Sequence, residues 1–269
     1  MSQLPRTVAA HLARTLVGTA LVLAVSGCAA GSPSATPGDG ASERASTPPS
    51  TAPSESTTPR ATPWPHCLAD YGGDCLGPLP AGTYTTVRFQ PPITYTVPAG
   101  GWSNFEDLPG NFLLVPPGFD LAGVDPGGSE YIGIYASVLA ANIDCTESEQ
   151  PNVDRTAAAL AAEFSLRPGL TTTTPTPVSV GGLQGMVLDI RLADDWTQTC
   201  PYSGGNSVMP LIRGVPPSDL DHPIGPGVVV RLYLLDRSGS TLAIELDDLS
   251  GGTHLDGYSA VVDELHFGN

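Results

Sequence analysis

The sequence has few side chains suited to catalysis, and His222, in the segment DLDHP at 219–223, is the most available of them. A hydrolase needs a nucleophile, a base and an acid that orients the base. Ser203 offers a hydroxyl, and Asp194 or Asp195 offers a carboxylate, but no GxSxG, HExxH or SxxK motif accompanies them. An exposed loop histidine is the alternative, and the missing motifs favour it.

Two tryptophans beside predicted strand ends form a second candidate site. Trp102 follows two glycines, and Trp196 follows Asp194 and Asp195 in the segment leading to Cys200. Loops on a rigid scaffold concentrate binding residues, and an aromatic face beside carboxylates suits a sugar or a cationic ligand. The structural alternative is that each tryptophan covers an edge of the core. The sequence leaves both interpretations open.

Composition excludes several classes of function. The 11 basic residues are all Arg, so the chain lacks the lysine that P-loop, kinase and Schiff-base chemistry require. With 27 acids and a net charge of −16, it is a poor partner for nucleic acid. The adjacent acids at 194–195, 247–248 and 263–264 are predicted to lie in solvated turns, because calcium loops space their ligands at alternate positions. No metal site and no cofactor are predicted.

The first 27 residues have the pattern of an export signal that ends in a lipid anchor. Arg6 and Arg14 precede an apolar run that is too short to span a bilayer, and the run ends in VSGC at 25–28. This ending resembles the bacterial lipobox, in which the cysteine is lipidated. The sequence therefore predicts a lipoprotein attached through Cys28 to the extracytoplasmic face of the cell membrane.

Residues 28–63 and 64–269 form two further predicted regions. The first is rich in Ser, Thr, Pro, Ala and Gly and is predicted to be a disordered tether. The second is long enough for one sizeable core. Its four cysteines, an even number in an exported chain, predict two disulfides. Among three possible pairings we favour Cys67–Cys75, which closes a short loop, and Cys145–Cys200, which joins distant segments. Zinc binding is the alternative, but the spacing matches no usual zinc site.

Short apolar runs separated by Gly and Pro predict that strands dominate the domain. The predicted strands cover 83–89, 93–97, 111–115, 131–138, 178–180, 186–192, 228–235 and 241–246, with a hairpin turn at 236–240 and a central position for 228–235. Helical spacing predicts one helix capped by Asn152, with a stripe from Val153 to Phe164, and a second capped by Thr253. One apolar face on each helix predicts an α+β fold in which both helices pack on the sheet.

Three segments carry a family resemblance: ITYTVP at 93–98 followed by GW at 101–102, VGGLQG at 180–185, and DELHF at 263–267. They resemble segments of a group of uncharacterised bacterial lipoproteins. The order of elements, from about residue 81 to 267, is similar to the PsbP-like α/β/α sandwich. The resemblance implies an antiparallel sheet with helices on its faces and a non-catalytic binding or assembly role. It supplies no functional residue.

The sequence therefore predicts a lipid-anchored envelope protein that binds or assembles rather than catalyses. The expected partners are the membrane, through the anchor, and an unidentified envelope protein, glycan or small molecule. A hydrolase that uses His222 with Ser203 or a carboxylate is one alternative. A carrier of a small apolar ligand is another.

Overall fold

A computed structural model describes residues 77–118, 130–218 and 220–268 of the chain. All of these lie within the segment predicted as the folded domain. The predicted signal peptide, Cys28, the tether and the Cys67–Cys75 pair lie outside the described residues.

The described residues form two antiparallel sheets and two helices. In chain order the elements are β1 Gly77–Leu79, β2 Gly82–Thr85, β3 Ile93–Val97, β4 Trp102–Asp107, β5 Asn111–Val115, β6 Tyr131–Ala140, α1 Ala157–Leu166, β7 Leu170–Thr172, β8 Thr176–Val180, β9 Leu183–Leu192, β10 Met209–Gly214, β11 Asp221–Ile224, β12 Val229–Arg237, β13 Ser240–Asp248, α2 Leu255–Asp263 and β14 His266–Phe267.

The larger sheet follows the order β1-β4-β5-β6-β13-β12-β9-β7, and the smaller follows β14-β3-β2. Strand β8 pairs with β9, and the β10–β11 hairpin joins the larger sheet through β6. The predicted α+β fold with an antiparallel sheet and two main helices is confirmed. Within the described residues, neither helix is long and apolar enough to cross a membrane.

The larger sheet has a hydrophobic core on each face. Alternate residues of one strand face opposite sides, so on β13 Leu242, Ile244 and Leu246 join the core that includes residues of α2 and the smaller sheet. Ala243 of the same strand joins the core that contains the buried stripe of α1. As predicted, β12 lies inside the sheet, between β13 and β9. Ser238 and Gly239 form the two-residue turn between β12 and β13, within the predicted hairpin.

Both predicted helix starts are wrong, although the apolar stripes are correct. Helix α1 is capped by Thr156, whose Oγ1 accepts a hydrogen bond from the Ala159 amide at 3.2 Å, while Asn152 lies in the preceding loop. Helix α2 follows His254, and the Thr253 hydroxyl donates backward to the Ser250 carbonyl. In both cases several polar residues precede the stripe, and the path of the loop decides which of them reaches the first turn.

The strand predictions differ from the structure at several short strands and strand ends. The predicted strand 83–89 is shorter, because β2 ends at Thr85 and the amides of Val87 and Phe89 donate to the Asp107 carboxylate instead of to a neighbouring strand. Trp102 and His222, predicted to lie on loops, belong to β4 and β11. These short segments alternate too little between apolar and polar residues to be identified as strands from their sequence.

Candidate functional site

A disulfide between Cys145 and Cys200 joins two loops at one end of the larger sheet, as predicted. The Cα atoms of the two cysteines lie 5.5 Å apart. The first loop follows β6 and the second follows β9. Beside the disulfide, the Gln198 side-chain amide donates to the Ile143 carbonyl at 2.8 Å and links the loops again. The two loops are therefore held together covalently and by hydrogen bonding.

A pocket of about 260 Å³ opens beside these loops, and we call it the disulfide pocket. The two loops contribute one wall, and strands β10 and β11 contribute another. The lining residues are Ala141, Thr146, Glu147, Tyr202, Pro210, Asp221, His222 and Pro223. Because Thr146 and Glu147 directly follow Cys145, and Tyr202 lies two residues after Cys200, the disulfide fixes the positions of these wall residues.

His222 connects the pocket to a buried polar cluster. Its Nδ1 lies 2.6 Å from Oε2 of Glu245, and its ring meets the rings of Tyr131 and Tyr135 edge-on, with centroids 6.0 and 5.0 Å away. The Tyr131 hydroxyl donates to the same Glu245 oxygen at 3.2 Å. We call His222, Tyr131, Tyr135, Glu245 and Asp247 the His222 network. About a quarter (26%) of the His222 side chain is exposed, whereas Glu245 is almost fully buried.

Strand alternation brings the network together. Tyr131 and Tyr135 lie on one face of β6, and Glu245 and Asp247 lie on the same face of the neighbouring β13. Between the tyrosines, a Cβ at Gly133 would overlap the Tyr135 hydroxyl group. Glycine at this position therefore leaves the space that the tyrosine ring occupies. The β10–β11 hairpin adds His222 because β10 pairs with the end of β6.

Burial and charge shift the pKa values of the network in a consistent direction. Burial, followed by the charge of Glu245, raises the pKa of Asp247 well above its usual range. Burial alone would lower the pKa of His222, but the charge and hydrogen bond of Glu245 outweigh it, so the pKa of His222 is raised. Burial also raises the pKa of Tyr131 and of Tyr135. The raised pKa values favour the protonated forms of these four residues. In addition, Oδ1 of Asp247 is buried without a hydrogen-bond partner among the described residues.

Ser203 and the acidic pair are not part of this network. The Ser203 Oγ lies 2.9 and 2.7 Å from the carbonyl oxygens of Cys200 and Asn206, and it holds the turn after the disulfide. Asp194 is almost fully exposed (96%) and faces Arg191 at 3.6 Å, and its neighbour Asp195 is also exposed. The hydrogen bonds of His222 go instead to Glu245 and the two tyrosines. Of the predicted catalytic residues, the structure therefore places only His222 beside a carboxylate, Glu245.

The two tryptophans lie on opposite faces of the larger sheet. Trp102 is buried in the core that includes residues of α2, with 4% exposure, and its ring meets the ring of Tyr258 edge-on. Trp196 packs against the core on the other face, where its indole N–H donates to the Val208 carbonyl at 3.0 Å and its ring lies against Gly169. The structure does not bring the two rings into one site, and their role in binding stays a prediction.

A second cluster of ionisable residues lies on the α2 face. Glu130, Asp248 and His254 place potential metal ligands within 4.8 Å of one another. Backbone donors already engage both carboxylates: the amides of Ser250 and His254 donate to Asp248 at 2.5 and 2.6 Å, and the Leu249 amide donates to Glu130 at 3.2 Å. The Tyr258 hydroxyl also donates to Glu130. These bonds hold the turn that leads into α2.

Sequence reasoning missed the buried acids of both clusters. Asp247 and Asp248 were predicted to lie in a solvated turn, but they end β13 and are 6% and 0% exposed. One signal was available: Glu245 and Asp247 occupy alternate positions at the end of an apolar strand, so their side chains share a face. The partners of Glu245, His222 at 23 positions and Tyr131 at 114 positions along the chain, left no local pattern.

Comparisons with known proteins give one structural neighbour of note. No family model matches the chain, and no curated protein matches it. The chain is similar to the solution structure of cyanobacterial PsbP (CyanoP) from Synechocystis sp. PCC 6803, with 13% identity and a TM-score of 0.29. The similarity covers 64% of this chain and 95% of that one. A similarity at this level concerns the kind of fold alone.

Proposed function

We propose that this protein is a lipid-anchored cell-envelope binding protein and that its domain captures a small molecule in the disulfide pocket. The observation that carries the proposal is the pocket itself. Two loops joined by a disulfide line one side of it, and His222, whose partner Glu245 is buried, also lines it. Small-molecule sites are concave, largely pre-formed and carry a few placed polar groups. The disulfide supplies pre-formation, which reduces the entropic cost of binding.

The hydrogen bonding of the pocket supports binding rather than hydrolysis. Ser203 is engaged in its own turn, and the Thr146 hydroxyl lies 2.8 Å from Ser148 Oγ and contacts Asp144. A nucleophile needs a hydrogen bond to its base, and among the described residues neither hydroxyl group forms one to His222. In this proposal His222 recognises the ligand and does not attack it.

A screen of cationic, anionic and neutral small compounds tests the proposal by comparing the wild type with a variant whose pocket is blocked. Thr146 is an exposed residue of the lining, so Thr146→Trp should block the entrance of the disulfide pocket. Thr174→Trp, at an exposed residue outside this pocket, is the matched control. We expect compounds that raise the melting temperature of the wild type and of Thr174→Trp but not of Thr146→Trp. A screen in which the blocked variant binds every compound as the wild type does would reject the disulfide pocket.

The anchor and the location form the second part of the proposal and rest on the sequence alone. Cys28 is the only thiol beside the small-residue boundary of the signal. Cys28→Ala should leave a preprotein that retains its signal, or release a soluble protein if another peptidase cleaves it. Mass spectrometry of the N-terminal peptide measures the lipid. Wild-type protein free in the medium, without lipid on that peptide, would contradict the anchor.

Hydrolysis is a second candidate function because of one distance, the 2.6 Å between His222 and Glu245. A carboxylate that orients a histidine is part of many hydrolytic sites. His222 would then activate a water molecule, since Ser203 is engaged elsewhere. A panel of ester and amide substrates tests this function. It is supported only if the wild type turns over a substrate and His222→Gln, shown by circular dichroism to be folded at the assay temperature, does not.

A further inference from the structure

The disulfide pocket combines acidic and aromatic groups in a way that indicates a class of ligand. Glu147 and Asp221 line it, and half of the Tyr202 side chain is exposed (50%). Burial and then the charges of Asp221 and Glu147 raise the pKa of Tyr202, so both carboxylates act on the same phenol. The negative potential is therefore concentrated next to an accessible aromatic ring.

The positive groups near the pocket are already paired. Arg213 Nη1 donates to both carboxylate oxygens of Asp221, at 2.6 and 2.7 Å. His222 is held by Glu245 at 2.6 Å. The sequence contains no lysine. Among the described residues Glu147 has no cationic partner, so an anionic ligand would meet a carboxylate whose repulsion no spare cationic side chain of the lining balances.

The remaining walls are apolar and favour an organic ligand over a metal ion. Ala141, Pro210 and Pro223 present hydrocarbon surface, whereas hard metal ions require several oxygen ligands around them. Among the described residues, the set with metal-ligand spacing lies at the start of α2 and not in this pocket. The volume of about 260 Å³ is at the lower limit of the usual range of small-molecule sites, which begins at roughly 300 Å³.

We infer that the disulfide pocket binds a small organic cation through its ammonium group, with the Tyr202 ring and the Glu147 carboxylate as the main contacts. Cation–π attraction and an acidic rim are the usual means of recognising quaternary ammonium groups. The prolines and Ala141 contact the methyl or methylene groups of the ligand. This inference rests on the proposed function and names the ligand class of that pocket.

The test compares choline with its neutral isostere 3,3-dimethylbutan-1-ol on the full-length protein in a nonionic detergent. Saturation-transfer difference NMR measures both affinities, including weak ones. We expect choline to bind about tenfold more tightly than the isostere, a difference of about 1.4 kcal/mol. Choline affinity should fall as salt is raised, because exposed charges are screened.

Variants with matched controls assign the contacts. Glu147→Gln and Tyr202→Leu should each weaken choline binding about threefold, and the double variant should bind choline no better than the isostere. Tyr202→Phe keeps the ring and should bind normally. Glu264→Gln removes an exposed acid on the opposite face of the sheet and should also bind normally.

The outcomes separate this inference from the proposed function. Equal affinity for both probes, or choline affinity that is unchanged in Glu147→Gln and Tyr202→Leu, would overturn the ammonium assignment and favour an apolar ligand. If neither probe binds while the compound screen finds a ligand that Thr146→Trp excludes, the ligand class is wrong and the pocket stands. If neither experiment finds a pocket ligand, both proposals are rejected.

Discussion

Asp247 and Asp248 are neighbours at the end of β13, yet they belong to two different clusters on opposite faces of the sheet. Asp247 faces Tyr131 and Glu245 in the His222 network. Asp248 faces His254 and the start of α2. Each cluster contains one histidine and two buried carboxylates. Their difference in hydrogen bonding separates a structural site from a candidate binding site.

Backbone donors satisfy the α2 cluster. Asp248 accepts two amides, and Glu130 accepts an amide, a serine hydroxyl and the Tyr258 hydroxyl. These hydrogen bonds to backbone amides break only if the turn unfolds, so the two carboxylates stabilise the fold. The contacts of the His222 network are all between side chains, and Asp247 Oδ1 accepts nothing from the described residues.

The comparison teaches that burial of acids alone does not identify a functional site. Both clusters are buried and each has a histidine that lines a pocket, but among the described residues Asp247 Oδ1 of the His222 network lacks a hydrogen-bond partner, whereas both carboxylates of the α2 cluster accept backbone amides. Buried polar groups normally find partners. A buried acid that lacks one, in the network that contains His222 of the disulfide pocket, is therefore the more informative feature.

Loss of the Cys145–Cys200 disulfide should give the largest effect. In the chain-entropy model, the 55-residue separation corresponds to about 4 kcal/mol of stability. We expect Cys145→Ser/Cys200→Ser to lose about this amount in urea unfolding. Amide exchange should speed up first in the loops of the disulfide pocket, while the turn at 249–254 stays protected. A non-reducing peptide map that joins Cys67 to Cys145 or Cys200 would contradict the pairing on which this prediction rests.

Replacement of Asp248 should have the next largest effect. Asp248→Ala leaves the amides of Ser250 and His254 without their acceptor, and we expect a loss of about 3 kcal/mol. At about pH 4, near the unfolded pKa of an aspartate, Asp247→Asn, one residue away, should change the free energy of unfolding by less than about 1 kcal/mol, because the folded-state carboxyl is protonated and the unfolded state gains little by ionising. Urea denaturation measures both. Equal losses in the two variants would show that the clusters do not differ as described.

The pH dependence of stability should distinguish the clusters more finely. The folded-state pKa of Asp247 lies above its unfolded value, so its stabilising contribution is complete below the unfolded pKa of about 3.9 and is lost as the pH rises through the folded pKa. Each unit of difference between the two values corresponds to about 1.4 kcal/mol. Relative to Asp247→Asn, the wild type should therefore lose stability as the pH rises above about 4.

Denaturation of both proteins at a series of pH values provides the measurement. The pKa of His222 is also raised, so its stabilising contribution is complete below about pH 6.5 and is lost at higher pH. This loss occurs in both proteins and largely cancels in the difference. A difference that grows in favour of the wild type with rising pH would contradict the direction of the Asp247 shift.

His254→Gln should give the smallest effect. Nearly half of the His254 side chain is exposed (47%), and its Nδ1 lies 3.2 Å from Glu130. Exposed charge pairs contribute about 0–1 kcal/mol, so we expect a loss of about 0.5 kcal/mol or less. His222→Gln should cost more, because its partner Glu245 would remain buried. Thermal unfolding compares the two variants, and the reverse order would contradict the assignment of unequal roles.

Local patterns in the sequence were sufficient to predict most of the fold. The strands 93–97 and 111–115 have the predicted bounds, and the apolar positions of both helices face the core. These features depend on alternation or helical spacing within about ten residues. The helix caps and the short strands β10 and β11 were missed, because several polar or proline-rich segments are locally compatible with more than one conformation.

The sequence by itself determined the dominance of strands, the apolar positions within the two helices and the central position of β12, and it favoured the Cys145–Cys200 pairing among three. Only the tertiary structure decided that β10 pairs with β6, which carries His222 to Tyr131, Tyr135 and Glu245. It also decided that neighbouring aspartates enter opposite cores. The physical reason is that strand pairing joins residues around a hundred positions apart, and the choice between partners depends on the packing of the whole sheet rather than on any local pattern.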